Sequence, residues 1–268
     1  MFRVVAVDLD GTLLRSDATV SVRTVAALRM VADAGGRTVI VTARPPRFTR
    51  MLAQEAGLSG IAICSNGAIV YDLDRDVSTV AGPLSVEAAA LAAEAVTRVL
   101  PDAAFALETG EVAIVGPGWL HNASREVSRR SVTSTPELWT STEACVKLMS
   151  WIPGTITDEV LASVALALPA STEVTYSGAS GMLEIHAAGV SKVDTLAKLC
   201  ARWGVEAAEV IAFGDMPNDL PVLRWAGRAI AVANAHPSVL ASAHAVTASN
   251  DADGVAAVLE DVFVTRGR

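Results

Sequence analysis

No stretch of this 268-residue chain approaches the roughly 20 consecutive apolar residues that a membrane-spanning helix needs. Even the alanine-rich segment from Ala88 to Val96 is broken by Glu94. The first apolar run, Val4 to Val7, is too short for the core of a signal peptide and ends at Asp8, so no membrane partner and a cytoplasmic location are expected. Dense Lys/Arg blocks with interleaved aromatics are missing, and a formal net charge of -8 repels polyanions, which argues against nucleic acid as a partner. Internal repeats, low-complexity tracts and coiled-coil heptads are missing as well. Cysteine is scarce: Cys64, Cys145 and Cys200 are widely spaced in apolar segments, which suits buried free thiols in a reducing compartment rather than a disulfide framework. The four histidines, His121, His186, His236 and His244, fall into no metal-ligand spacing. Nothing in the composition sets an oligomeric state.

Val, Leu and Ile are plentiful and charged residues make up 19%, the balance of an ordinary globular protein. The length suits one large domain or two modest ones. Val4 to Val7, Thr38 to Val41 and Val210 to Phe213 are unbroken, β-branched runs of the kind that form parallel strands buried on both faces. Between the first two, Val22, Val25, Leu28 and Ala32 recur at helical spacing before Gly35-Gly36. Pro45-Pro46 opens a further helix through Leu52, and Gly57 closes it ahead of a strand from Ile61 to Cys64. This β-α-β-α-β start gives way, from Gly82 to Ala188, to an alanine-rich helix, strand-like segments at Val112 to Val115 and Cys145 to Met149, and many turn residues. Beyond Gly189 the rhythm returns, with helices over Ser191 to Trp203, Pro217 to Trp225 and Gly254 to Val262, and strands over Val210 to Phe213 and Ala229 to Val232. The expected fold is α/β: a Rossmann-like core of a parallel sheet over 1–81 and 189–268, carrying an inserted α+β domain over 82–188.

In open α/β sheets ligands bind outside the carboxyl ends of the strands. The polar residues that follow the three runs are Asp8-Leu9-Asp10-Gly11-Thr12, Thr42-Ala43-Arg44 and Gly214-Asp215-Met216-Pro217-Asn218-Asp219, which would meet at one rim. Two carboxylates about 4 Å apart repel by roughly 4 kcal/mol at a typical effective dielectric, so the cluster calls for a cation, and oxygen ligands with open positions favour magnesium. Asp8 is ionised at neutral pH and can attack phosphorus without a separate base. Asp10, two residues on, can protonate a departing alkoxide and then activate water. A bound dication also reconciles an acidic protein with a phosphorylated substrate.

With these residues in place the chain resembles the haloacid dehalogenase superfamily phosphatases, in the Cof-type or sugar-phosphatase-like branch. Four motifs stand in family order: Asp8 to Thr12, Thr42, Lys192 within Gly189-Val190-Ser191-Lys192, and Gly214 to Asp219. Ser65-Asn66-Gly67-Ala68 also resembles a family segment. The resemblance implies Asp8 as nucleophile and metal ligand, Asp10 as acid/base offering its backbone carbonyl to magnesium, and Asp215 as the remaining protein ligand. It places phosphoryl oxygens against Thr42 and the amides of Leu9 and Ala43, puts Lys192 and Asn218 on the charge that builds there, and has Asp219 orient Lys192 or a metal-bound water. The inserted segment corresponds to a cap that selects substrate. Two positions depart from the family pattern: Ala43 stands for a glycine, and Val193 stands where a glycine often follows the lysine. Asn66 and His186 are further candidates for substrate contact, while Trp119, Trp139 and Trp151 are expected to pack in the insertion. The implied activity is magnesium-dependent hydrolysis of small-metabolite phosphomonoesters through an aspartyl phosphate. Phosphomutase action on the same core, and magnesium-dependent metabolite sensing without turnover, stay open as alternatives.

Overall fold

A computed structural model describes residues 1–120, 128–176 and 181–264; His121 lies outside them. The chain divides into two compact units, the first formed by 1–44, 48–79 and 191–268 and the second by 45–47 and 80–190. No helix among the described residues is long and apolar enough to cross a membrane.

The chain opens with β1 (Val4–Val7), buried throughout, then a kinked turn over Leu9–Leu13. Ser21 caps α1 (Val22–Asp33) by accepting from the Thr24 amide. There follow β2 (Arg37–Val41), α2 (Pro46–Ala56), β3 (Ile61–Cys64), β4 (Ile69–Asp72) and β5 (Val77–Val80). The inserted segment supplies β6 (Leu84–Ser85), α3 (Val86–Val99), β7 (Ala104–Glu108), β8 (Ala113–Val115), β9 (Arg129–Ser131), α4 (Thr135–Thr140), β10 (Ala144–Cys145), β11 (Lys147–Trp151), α5 (Asp158–Ala167), β12 (Thr172–Thr175) and β13 (Met182–Ala187). The return comprises α6 (Lys192–Arg202), β14 (Val210–Gly214), α7 (Leu220–Trp225), β15 (Arg228–Ala231), α8 (Pro237–Leu240), β16 (Ala245–Val246) and α9 (Gly254–Val264).

The first unit is built on a sheet ordered β16-β15-β14-β1-β2-β3-β4-β5, parallel from β16 to β3. Its registers pair Val4 with both Val210 and Arg37, so β1 sits centrally and the segments after β1, β2 and β14 leave the same edge. The sequence pattern does not reveal β4, which turns back antiparallel to β3, or the edge strand β5, whose residues are all exposed and lack the apolar signal of a buried strand.

In the second unit, β12-β13-β11-β7-β8-β9 form a six-stranded sheet. Alternation puts Leu107, Ile114, Leu148, Leu183 and Ile185 on the face that packs with Ala89, Ala92 and Val96 of α3 and Val164 of α5. A smaller cluster gathers Ala106, Ala113, Val115, Trp119 and Met149, with Trp151 packed against it, while Trp139 packs on the larger cluster.

Two expected elements are broken. The helix expected from Pro217 begins as a short tight turn, Pro217–Asp219, because the Asp219 carboxylate accepts from the amides of Asp215 and Met216; the α-helix starts only at Leu220. The strand expected from Cys145 to Met149 is split, since β10 pairs with β6 while β11 pairs with β7 and β13. Cys64, Cys145 and Cys200 are free and buried.

Candidate active site

β1 delivers Asp8 to the rim, where its amide donates to Phe213 O of β14 at 3.2 Å and its carboxylate is buried. Gly11 then takes φ +76°, and a Cβ there would stand 2.4 Å from Asp215 Oδ2, so both the backbone turn and the closeness of the Asp215 carboxylate favour glycine. Thr12 Oγ1 donates to Asp215 Oδ1 at 2.8 Å. The first turn of α6, capped by Ser191, carries Lys192 inward. Its ammonium donates to Asp8 Oδ1 at 2.8 Å and to Asp219 Oδ1 at 2.7 Å, all three side chains being buried.

The segments after β2 and β3 lock this arrangement. Ser65 and Asn66 both adopt left-handed backbone, at φ +50° and +55°, which costs a non-glycine residue about 1–2 kcal/mol each. In return the Ser65 amide donates to Arg44 O and the Asn66 amide to Thr42 O, at 2.9 and 3.1 Å. Gly67, at φ +108°, lets α6 approach so closely that a Cβ would lie 2.2 Å from Ser191 O, and Thr195 Oγ1 donates to Gly67 O at 2.8 Å. Thr42 is buried, and its hydroxyl accepts from the Arg44 amide at 3.1 Å. Ala43 keeps a negative φ, so alanine at this position does not force a strained backbone.

The electrostatics are those of an overcharged pocket. Burial raises the Asp8 pKa well above the usual carboxylate range, Asp219 adds to the rise, and Lys192 opposes it. Burial likewise raises Asp215 to about 6, against the hydrogen bond from Thr12 and with the help of Asp219. Burial works against the Lys192 ammonium, but Asp219 and Asp8 outweigh it and its pKa rises. Carboxylate oxygens of Asp8, Asp215 and Asp219 all lie within 4.8 Å of one another. Against the single positive charge of Lys192 they leave an excess of two negative charges. An all-oxygen donor set carrying that excess fits a hard divalent cation such as magnesium.

Asp10 lies apart from this cluster. Its carboxylate is half exposed and held by Arg44 in a two-pronged ion pair, Nε to Oδ2 at 2.7 Å and Nη2 to Oδ1 at 2.5 Å. Leu9 is buried, Asn218 is half-buried in the 217–219 turn, and Val193 is half-buried beside Lys192. His186 belongs to the second unit: it is buried in β13 with Nδ1 3.2 Å from Ala187 O, and Nε2 has no hydrogen-bond partner among the described residues. Three contacts escaped the sequence reading. Thr12 and Arg44 lie in the segments after β1 and β2, but their partners depend on side-chain direction. Asn234, whose Nδ2 donates to Gly11 O at 2.8 Å, sits 223 residues away with no local signal.

A family model of the haloacid dehalogenase-like hydrolases matches residues 5–259. The chain is 28% identical over 281 residues to a 5-amino-6-(5-phospho-D-ribitylamino)uracil phosphatase of Bacillus subtilis, covering 97% of each protein. It is 29% identical over 267 residues to a pyridoxal phosphate phosphatase of Escherichia coli, covering 95% of this chain and 96% of the relative. A solved structure from Streptococcus mutans superposes with a TM-score of 0.86 at 24% identity, over 98% of this chain and 100% of that one, a likeness of fold.

Proposed function

Because the chain belongs to the haloacid dehalogenase-like hydrolases and is an enzyme of the phosphatase type, we propose that it hydrolyses small-metabolite phosphomonoesters, with magnesium, through a phosphoryl group carried on Asp8. The observation that carries this reading is the buried Lys192 ammonium bridging Asp8 and Asp219 beside Asp215. The phosphates named in the two relatives are borne by small metabolites, which supports the same substrate class here.

In the first half-reaction an Asp8 oxygen bonds to phosphorus as the ester P–O bond breaks, and Asp10 delivers a proton to the departing oxygen. In the second, Asp10 takes a proton from water as the water oxygen bonds to phosphorus and frees Asp8. Since Arg44 grips the Asp10 carboxylate, Asp10 must leave that pair to serve either step. Lys192 balances charge on the transferring phosphoryl oxygens, Asp219 positions Lys192, and Thr42, Asn218 and the amides of Leu9 and Ala43 hold the remaining oxygens. Asp8, Asp215 and the Asp10 carbonyl would hold magnesium, which supplies charge neutralisation for the phosphoryl group. Residues 82–188 form the substrate-selecting domain on a core of 1–81 and 189–268, with Asn66 and His186 as contacts to the leaving group. Three buried free thiols support work in the cytoplasm. A phosphate-release screen of the purified chain against a metabolite panel, with and without magnesium, tests the proposal. Release from small esters that requires magnesium is expected; full turnover in a chelator, or a preference for phosphopeptides, would contradict it.

A further inference from the structure

At the amino-terminal starts of β2 and β3, the end of the sheet opposite to Asp8, the first unit holds a groove of about 680 Å³. That volume lies within the roughly 300–1,000 Å³ typical of small-molecule sites. Val25, Leu28 and Ile61 give part of its lining an apolar character. Three arginines line it, Arg29, Arg37 and Arg75. Arg37 lies over the Trp203 indole, 5.0 Å from the ring centroid, and Arg29 Nη2 stands 3.6 Å from where a Cβ on Gly57 would be. Neither side chain makes an ion pair or hydrogen bond among the described residues, in a chain that carries eight net negative charges. Asp72 and Asp74 also line the groove, and each is engaged elsewhere: Asp72 Oδ1 accepts from the amides of Asp74 and Arg75 while its Oδ2 lies 3.8 Å from Arg75 Nε, and Asp74 Oδ2 accepts from the amide of Gly60.

We propose that this groove binds a small phosphorylated planar heterocycle, a mononucleotide in class, with its anion on Arg29 and Arg37 and its ring against the Arg37–Trp203 stack. A stacked guanidinium keeps its edge donors and its charge, so it can take an anion while presenting a flat surface to a second ring. The groove contains no buried nucleophile, so it suits a regulatory ligand rather than a second substrate. Trp203 closes the end of α6, the helix that begins at Lys192.

Isothermal titration calorimetry on the full chain in a chelator, with adenosine monophosphate, ribose 5-phosphate, adenosine and inorganic phosphate, tests the site. Adenosine monophosphate should bind with Kd between about 10 μM and 1 mM, and more tightly than any of the three fragments. Arg29→Gln and Arg37→Gln, both at exposed positions, should each weaken it by about fivefold or more. Lys192→Met should leave it unchanged. Absence of binding, binding indifferent to both arginine substitutions, inorganic phosphate binding as tightly as the nucleotide, or loss of binding in Lys192→Met would each overturn the proposal.

Discussion

In the second unit Lys147 meets Glu184 and Arg47 meets Glu108, all nearly inaccessible to water, whereas among the described buried residues of the first unit Asp8, Asp215 and Asp219 gather around the one ammonium of Lys192. A matched buried pair roughly balances desolvation against attraction, so it specifies geometry more than it adds stability. In the unmatched cluster burial, with Asp219 adding to it, pushes the carboxyls of Asp8 and Asp215 toward protonation. The leftover charge equals that of one divalent cation. Under the proposed function, imbalance marks chemistry and balance marks architecture.

The largest effect expected is at Asp8. Asp8→Asn should lower phosphatase turnover by at least about a hundredfold, because an amide is no nucleophile. Its melting temperature, measured in a chelator, should match or exceed that of the wild type, since a repelling charge has been removed from an overcharged site. A large drop in stability would break the comparison. Lys147→Met should do the opposite. Removing the Lys147 ammonium from the buried Glu184 carboxylate should cost about 3–5 kcal/mol in urea unfolding, while turnover of a minimal aryl phosphate per folded molecule stays near wild type. Pairing it with Glu184→Leu should recover most of the stability.

Asp10 belongs to neither pattern, being half exposed and paired with Arg44. Asp10→Asn should slow alkyl phosphates about tenfold more than aryl phosphates, because only a poor leaving group needs the delivered proton. Equal losses would remove Asp10 from the acid role. The smallest effect concerns His186. Burial holds its pKa below the ordinary 6.5, against the pull of the Ala187 carbonyl and Glu173. The unfolded chain then binds the proton first, so the His186 contribution to stability is fully present above pH 6.5 and is lost as pH falls below 6.5 through the lower folded-state pKa. Unfolding curves from pH 5 to pH 8 should be flatter for His186→Phe than for the wild type, and identical slopes would remove His186 as the source.

Why one unit was more legible than the other follows from the same contrast. Asp8, Thr42 and Asp215 each follow an unbroken buried strand, so chain order alone places them on one edge, and Lys192 is marked by the helix start at Ser191. In the second unit, Lys147, Glu184 and His186 occupy alternating positions in short strands, a pattern that ordinarily means a solvated face. They are instead buried, and nothing local distinguishes the two cases. The Asp10–Arg44 pair was hidden for another reason: both residues were in view, but which way a guanidinium turns depends on the loop it packs in. Asn234 and Asn250, which hold the backbone at Gly11 and Leu14 from distant turns, are set by tertiary folding alone.

The central claim is that the unmatched charge in the first unit belongs to a bound cation. Magnesium titration of the metal-free chain by calorimetry tests it directly. One magnesium per chain is predicted, lost or strongly weakened in Asp215→Asn and unchanged in Lys147→Met. A wild-type chain that binds no magnesium, or an Asp215→Asn chain that binds it as tightly as the wild type, would contradict the account.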